Sequence, residues 1–524
     1  MTHPTATNAG TNSSTKRLII CVCLVAGASM SVSASFNYML TPMLDDFGLT
    51  SADASTALAI PSIASILVVF LAGSFGDRIG HRRVLLMGSA VFIIGSLIVS
   101  IANGLTLVSI GLLLEGIGAT FLTVTSLGLL SSRITEDGAR ASAFSTFGMV
   151  SPVVYLALPV ITGLVVEGHS WRLVPILWAV IGVLSAVAVL AMLPKVDTNA
   201  GAGSLTVPLL AGIALASGVQ AIVHISDYGL LSLRVIIAAA ISILALVMLV
   251  IIYRSKGSAS FSLTPLRNPR TRMLMIVVML VPFANTWYYM TIALQYMFGL
   301  SVLATAMAMI PAQLCGIVGA KVLAGTLMRR RGVHHTGVLL LALLTLGTVS
   351  VLLVQADSPV WVPIACMSLF GLAFAGSGTV ITNAFMSSAP ATESGNTSAF
   401  KSSATSVGVA LGFILMGSVV YGTAQHSLVN GFEQAGLDST QATQQLTKLE
   451  QSSQNPNYIS RYAYSTDVEV ANIESNVQSE EVVLEMNAVA AGLHANALFG
   501  GVVALLATLI FAGRPRRHSK VPVL

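Results

Sequence analysis

The 524-residue chain is 55% hydrophobic and only 9% charged, with a net charge of +5. A water-soluble domain carries roughly a quarter charged side chains, so lipid rather than water is the expected solvent for most of this surface. The basic residues lie in short stretches between apolar runs without interleaved aromatics, which excludes a nucleic-acid interface. The four cysteines, Cys21, Cys23, Cys315 and Cys366, all sit inside apolar runs, which argues against a disulfide framework or a zinc cluster.

A polar cytoplasmic tail over residues 1–17 ends in Lys16-Arg17 and enters an apolar run too long for the core of a signal peptide. At about 18 to 25 apolar residues per crossing, spans are expected near 18–44, 54–75, 84–102, 107–131, 142–166 and 173–193, the first six-helix bundle (18–193). The segment 194–272 holds a linking pair near 205–225 and 235–253 and a loop. A second six-helix bundle (273–513) is expected near 273–297, 302–328, 337–355, 360–387, 398–422 and 490–513, followed by a tail over 514–524. The fold class is therefore an all-α membrane protein with fourteen transmembrane helices.

Lys and Arg in short loops set orientation. Arg78, Arg82, Arg83, Arg133, Arg140, Lys195, Arg254, Arg329 to Arg331 and the C-terminal basic residues all alternate onto the face of Lys16, while Asp45, Asp46, Glu167, Asp227 and Asp357 take the other. Both termini are thus expected in the cytoplasm, in a multi-pass protein of the cell (inner or plasma) membrane. Residues 424–489 are polar and acidic and are expected outside. Apolar positions such as Leu446, Leu449, Val468 and Ile473 recur every three or four residues there, the pattern of a short helical hairpin.

After the second span the chain reads Gly73-Ser74-Phe75-Gly76-Asp77-Arg78-Ile79-Gly80-His81-Arg82-Arg83. This resembles the signature loop GxLaDrxGrkk of the major facilitator superfamily. A basic positive-inside loop alone accounts for the arginines but not for the spacing of Gly73, Asp77 and Gly80. Glycines permit close approach, and Asp77 with Arg78, Arg82 and Arg83 can form charge-assisted hydrogen bonds to neighbouring helix ends, a latch that must break during transport. Leu114 to Ala119, Ser170-Trp171-Arg172, Leu263 to Asn268, Gln295 to Ser301 with Pro311, and Gly395-Asn396 through Gly412 extend the resemblance to the fourteen-span drug:proton antiporters, the QacA-like exporters. The resemblance implies two rocking six-helix bundles with two additional linking helices.

The chain departs from that family where coupling is usually assigned. Ser33 stands nine positions before Pro42 where the exporters carry an acid, Leu112 and Glu115 replace an arginine and a glutamine, the fifth-helix motif is reduced to Leu158-Pro159 and Thr162-Gly163, and Lys401 stands among neutral residues where the thirteenth helix has acids. An ionisable group inside a span costs about 2.5–3.5 kcal/mol on insertion scales, so each such group needs a reason. Glu115 is the proton-coupling candidate, with a structural glutamate as the alternative. Lys321 can pair with an acid, attract an anionic substrate, or snorkel to the headgroups. Ser33, Asn37 and Tyr38 on the first span and Asn285, Trp287, Tyr288 and Tyr289 on the ninth are the remaining substrate-cavity candidates, with helix packing or an interfacial belt as the alternative for the aromatics.

Neither a Walker loop, a metal-ligand cluster nor a nucleophile elbow is present in the sequence, so no catalysis and no cofactor are expected. The expected partners are a small-molecule substrate, protons and the lipid bilayer, with a monomer as the working unit. The expected function is proton-coupled efflux of hydrophobic or amphiphilic compounds, drugs included. Two alternatives stay open: a dedicated transporter of one anionic metabolite or lipid, and a membrane scaffold or sensor built on the acidic outer segment.

Overall fold

The computed structural model describes residues 8–47, 51–194, 205–256, 263–434 and 477–513. Among them every regular element is helical. In chain order these are α1 (Asn8–Phe47), α2 (Ser51–Ile79), α3 (His81–Ser100), α4 (Leu105–Arg133), α5 (Asp137–Gly148), α6 (Val150–Gly168) and α7 (Leu173–Met192). The linking pair is α8 (Thr206–Tyr228) and α9 (Leu233–Lys256). The second half holds α10 (Thr264–Arg267), α11 (Pro269–Leu280), α12 (Trp287–Tyr296), α13 (Val302–Ala308), α14 (Ile310–Ile317), α15 (Gly325–Val349), α16 (Trp361–Met386), α17 (Ser394–Gln434) and α18 (Val477–Ala512).

Thirteen stretches of the described residues are long and apolar enough to cross a membrane, and one of them, Leu303–Leu353, runs for 51 residues. A straight helix of that length would reach about 77 Å, more than twice the ~30 Å hydrocarbon core. Gly332, at φ 77°, breaks it in two, a backbone conformation that a side chain disfavours. Twelve single stretches and one double one make fourteen crossings. The arginines at 78–83, 133–140 and 329–331 share one end of the bundles, here the basic end; Asp46 and Asp357 mark the opposite, acidic end.

Helices α1 to α7 pack as one bundle, through α3 on α4, α2 on α4, and α1 on α6 and α7. The second bundle is held by α15 against α16 and α18, α14 against α16, and α17 against α18. Helix α8 docks on the first bundle at Gly212, where a Cβ would stand 1.8 Å from the Leu67 carbonyl oxygen. Helix α9 packs chiefly on α8 and turns Ile237, Ile241, Leu244 and Ile251 outward, as a lipid-facing helix should.

Two crossings differ from uninterrupted spans. The expected helix at 142–166 is divided at Met149 between α5 and α6. The expected helix at 273–297 is divided between α11 and α12, because Pro282 opens a 3-10 turn over Val281–Ala284 and the side chain of Asn285 accepts the Trp287 N–H at 3.2 Å. At the acidic end, α17 and α18 continue past the apolar core and pack together through Leu428, Phe432 and Leu484. The expected outer hairpin at Leu446 to Ile473 lies outside the described residues.

Arg172 ties the acidic end of the first bundle. Its guanidinium donates to Asp46 Oδ2 at 2.5 Å and to the Ala102 carbonyl at 3.0 Å, and stacks over Trp171 at 4.5 Å. The Trp171 indole N–H also donates to Asp46 Oδ2, at 3.2 Å, and the bonds to Asp46, from Arg172 first and Trp171 second, hold its carboxyl below the usual carboxylate range.

Candidate functional site

Glu115 sits near the middle of α4, 1% exposed. It is reached by α3 because Gly95 and Gly111 let the two helices touch: a Cβ on Gly95 would lie 2.7 Å from the Gly111 carbonyl oxygen and 2.8 Å from Glu115 N. That approach brings Ser96 Oγ to 2.7 Å from Glu115 Oε1 and 3.0 Å from the Phe92 carbonyl oxygen. A hydroxyl has one hydrogen and serves one acceptor at a time. With Glu115 ionised, Ser96 donates to the carboxylate; with Glu115 protonated, the carboxyl can donate to Ser96, which then donates to Phe92. Oε1 therefore has a partner in either protonation state, whereas Oε2 is buried without one.

Glu115 lines a cavity of about 210 Å³ between α1, α2, α4 and α17. Ser29 and Ser33 come from α1, Ser62 and Ser65 from α2, Thr120 and Thr123 from α4, and Ser402 and Ser406 from α17 of the other bundle. Thr123 donates to Ser29 Oγ at 2.8 Å, and Ser65 donates to the Gly116 carbonyl at 3.3 Å. Gly116 is what permits α2 to pass so close, since a Cβ there would meet the Pro61 carbonyl oxygen at 2.5 Å. Ser33 and Ser62, both exposed, lie on the acidic side of the cavity; Val69 and Val124, both buried, lie on the basic side. The cavity therefore opens toward the acidic end.

The basic end is sealed between the bundles. The Asp77 carboxylate accepts the N–H of Gly395 at 2.8 Å and of Asn396 at 2.9 Å, in the first turn of α17, where the helix dipole favours a negative charge. Ser398 donates to the Val124 carbonyl at 2.7 Å, and Phe70 meets Phe400 edge-on at 5.2 Å. Ser131 adds a bond to the Met386 carbonyl at 3.2 Å. Gly80, at φ 88°, makes the turn from α2 into α3 that leaves Asp77 at the helix end.

Residues 19–413 match the model of the Major Facilitator Superfamily. The chain belongs to that superfamily. Among similar curated proteins of the superfamily's kind, the riboflavin transporter RibZ of Clostridioides difficile is 22% identical over 75% of this chain and 86% of that protein. The multidrug resistance protein Stp of Mycobacterium tuberculosis is 24% identical over 72% and 71%, and the tetracenomycin C resistance and export protein of Streptomyces glaucescens 26% over 68% and 66%. The crystal structure of the human organic anion transporter MFSD10 (TETRAN) shares the major facilitator fold, with a TM-score of 0.63 at 11% identity, covering 95% of this chain and 99% of that one.

Within this major facilitator fold the expected cavity residues separate. Ser33 shares the cavity with Glu115, and Tyr155 of α6 hydrogen-bonds to it. Tyr38 lies further along α1, and the side chain of Asn37 lies outside the described residues. Trp287 meets Phe370 edge-on at 5.8 Å, and Tyr288 meets Tyr289 at 5.3 Å and Phe413 at 5.9 Å, so these rings pack within the second bundle, next to Asn285 at the helix break. Lys321 sits in a π-helical turn over Val318–Ala324 and donates to Thr146 Oγ1 of the first bundle. Of the basic latch residues, Arg83 is exposed and Arg78 and Arg82 are half-buried. Ser29, Ser62, Ser65, Ser96, Ser402 and Ser406 were not anticipated.

Proposed function

We propose that this protein is a proton-coupled exporter of amphiphilic organic compounds, and that Glu115 is its coupling carboxyl. The observation that carries this reading is that Glu115, whose Oε2 is buried without a hydrogen-bond partner, belongs to the lining of a cavity whose exposed residues, Ser33 and Ser62, lie toward the acidic end. The positive-inside rule puts the basic end in the cytoplasm of a cell-membrane protein, so the conformation described here faces outward. Glu115 then takes a proton from outside. Neutralising the carboxyl lowers the cost of enclosing it as the bundles rock, Asp77 releases α17, and the cavity opens inward, where Glu115 gives up its proton and substrate enters. The named resistance and export proteins among the relatives support export as the direction.

A second reading, transport of one dedicated substrate, is favoured by Lys321, whose cation bridges the bundles through Thr146, and by the riboflavin transporter among the relatives. The test is extrusion of a panel of amphiphilic compounds from a pump-deficient host, with and without an uncoupler. Uncoupler-sensitive extrusion of several unrelated compounds is expected; extrusion of one compound class supports the second reading, and extrusion insensitive to the uncoupler overturns the proton coupling.

A further inference from the structure

The basic end of the bundles closes along two seams, and the chain repeats itself between them. Gly73 and Gly80 stand seven residues apart, as do Gly325 and Gly332, and Gly80 and Gly332 both turn with positive φ, at 88° and 77°. Gly73 lets α2 touch α17 of the other bundle; Gly325 lets α15 touch α5, where a Cβ would lie 2.8 Å from Ser145 Oγ. Helix α5 thus takes in the second seam the place that α17 takes in the first. Four residues before Gly73 stands Val69, in the lining of the Glu115 cavity. Four residues before Gly325 stands Lys321.

Lys321 is carried by a π-helical turn over Val318–Ala324, a rare form that recurs at functional sites. Its ammonium crosses the seam and donates to Thr146 Oγ1. It stands eight residues before the exposed Arg329, a depth of about 12 Å. With its Nζ turned across to α5, snorkelling to the headgroups does not account for it. The partner is weak for a cation: Thr146 gives its own hydrogen to the Ser142 carbonyl at 2.8 Å, so three ammonium N–H groups meet one neutral oxygen.

The surroundings are also short of negative charge. Among the described residues no carboxylate pairs with Lys321. The groups whose charges act on it are the Cys23 thiol of α1 and the Arg329 guanidinium. The acids of α5, Glu136 and Asp137, are exposed and lie nine or more residues from Thr146. A charge inside a span calls for a counter-ion, and the side chains of the seam supply none. When the bundles open at the basic end, Thr146 leaves with the first bundle, and Lys321 stays on the wall of the second, facing the arriving compound.

We propose that Lys321 then binds the carboxylate of an organic anion, which takes the place of Thr146. When the seam re-forms, Thr146 competes for the ammonium and releases the anion toward the acidic end. This assignment gives the substrate a charge and rests on the reading of the chain as a transporter, and the experiment separates the two.

Binding of 4-phenylbutyrate and of 4-phenylbutanamide, which share one hydrophobic body, is measured by calorimetry on the purified full-length protein in an uncharged detergent. The expected result is at least tenfold tighter binding of the carboxylate by the native protein. Lys321→Gln, in a sample whose thermal midpoint matches the native one, is expected to abolish that preference, and Lys321→Arg to keep part of it. Thr146→Val removes the same bridge but leaves the cation, so the preference for the carboxylate should stay or grow. If Lys321 served the seam alone, Thr146→Val and Lys321→Gln would act alike. Equal binding of the pair, tighter binding of the amide, no binding of either, or a preference that survives Lys321→Gln overturns the proposal. Gradient-driven flux of the amide into vesicles together with equal binding of the pair keeps the transport reading and removes the anion site. A Lys321-dependent preference without flux of either compound leaves the anion site standing and removes the transport reading.

Discussion

Gly73 and Gly395 face each other across the two bundles so closely that a Cβ on either would stand 2.4 Å from the carbonyl oxygen of the other. Neither contact is to a flexible side chain, so neither glycine can be enlarged without moving a backbone. Gly395→Ala is therefore expected to push α17 off α2 at the basic end while leaving each bundle intact. A penalty of ~1.4 kcal/mol already changes a population ratio tenfold. Spin labels at Thr135→Cys and Arg270→Cys, in a background without the native cysteines, should report a longer distance in Gly395→Ala than in the parent. An unchanged distance distribution would mean the contact does not set the conformational balance.

Asp77 works at the same junction by charge. Its two hydrogen bonds to α17 are partly open to solvent, which places their worth near the ~0.3–1 kcal/mol typical of a carboxylate at a helix N-terminus. Asp77→Asn keeps the shape and removes the charge, so a two- to fivefold shift toward the conformation open at the basic end is expected from the same label pair. The thermal midpoint should stay close to the parent value; a large drop would make Asp77 a fold residue rather than a latch.

Trp178 and Ser35 test packing inside the first bundle. Both are 0% exposed, and the indole N–H donates to Ser35 Oγ at 2.7 Å. Ser35→Ala leaves that N–H without an acceptor in an apolar setting, at a cost of ~1–2 kcal/mol. A lower unfolding temperature in detergent is expected, and Ser35→Ala should cost less when added to Trp178→Phe than when added to the parent, because the donor it would orphan is already gone.

At the acidic end the Asp46 to Arg172 contact carries a pH sign. Folding holds the Asp46 carboxyl below its ordinary value, so its contribution is present above the unfolded carboxylate range near pH 4 and is lost as pH falls through the lower folded value. Lys- and Arg-rich loops are unaffected in that window. The unfolding temperatures of the parent and Asp46→Asn should differ at pH 7 and converge in strong acid; a constant difference across pH would rule out the ion pair as its source.

Helix number and bundle order were legible because a 30 Å apolar layer leaves a plain record in the chain: runs of about twenty residues, with arginines at alternate boundaries. Asp77 and its glycines stood out in the sequence, but the donors that Asp77 meets, the N–H groups in the first turn of α17 more than 300 residues away, did not. Glu115 was visible as a lone carboxylate in a span. Its surroundings were harder to read, because serines are common in spans and usually bond to their own helix, as Ser31 and Ser35 do here. The i, i+4 spacing of Ser398, Ser402 and Ser406, and the pair Ser62 and Ser65, were the signals for the hydroxyl wall. The aromatic cluster at Trp287 to Tyr289 drew attention for its chemistry, yet Pro282 and Asn285 break the helix beneath it and turn the rings onto Phe370 and Phe413.

The central claim, that Glu115 couples protons to transport, is tested most directly by flux into proteoliposomes under an imposed pH gradient, for the parent protein and for Glu115→Gln, with substrate binding measured on the same preparations. The account predicts that the parent accumulates substrate against its gradient and that Glu115→Gln binds it yet shows no gradient-driven accumulation. Accumulation by Glu115→Gln at the parent rate would contradict it.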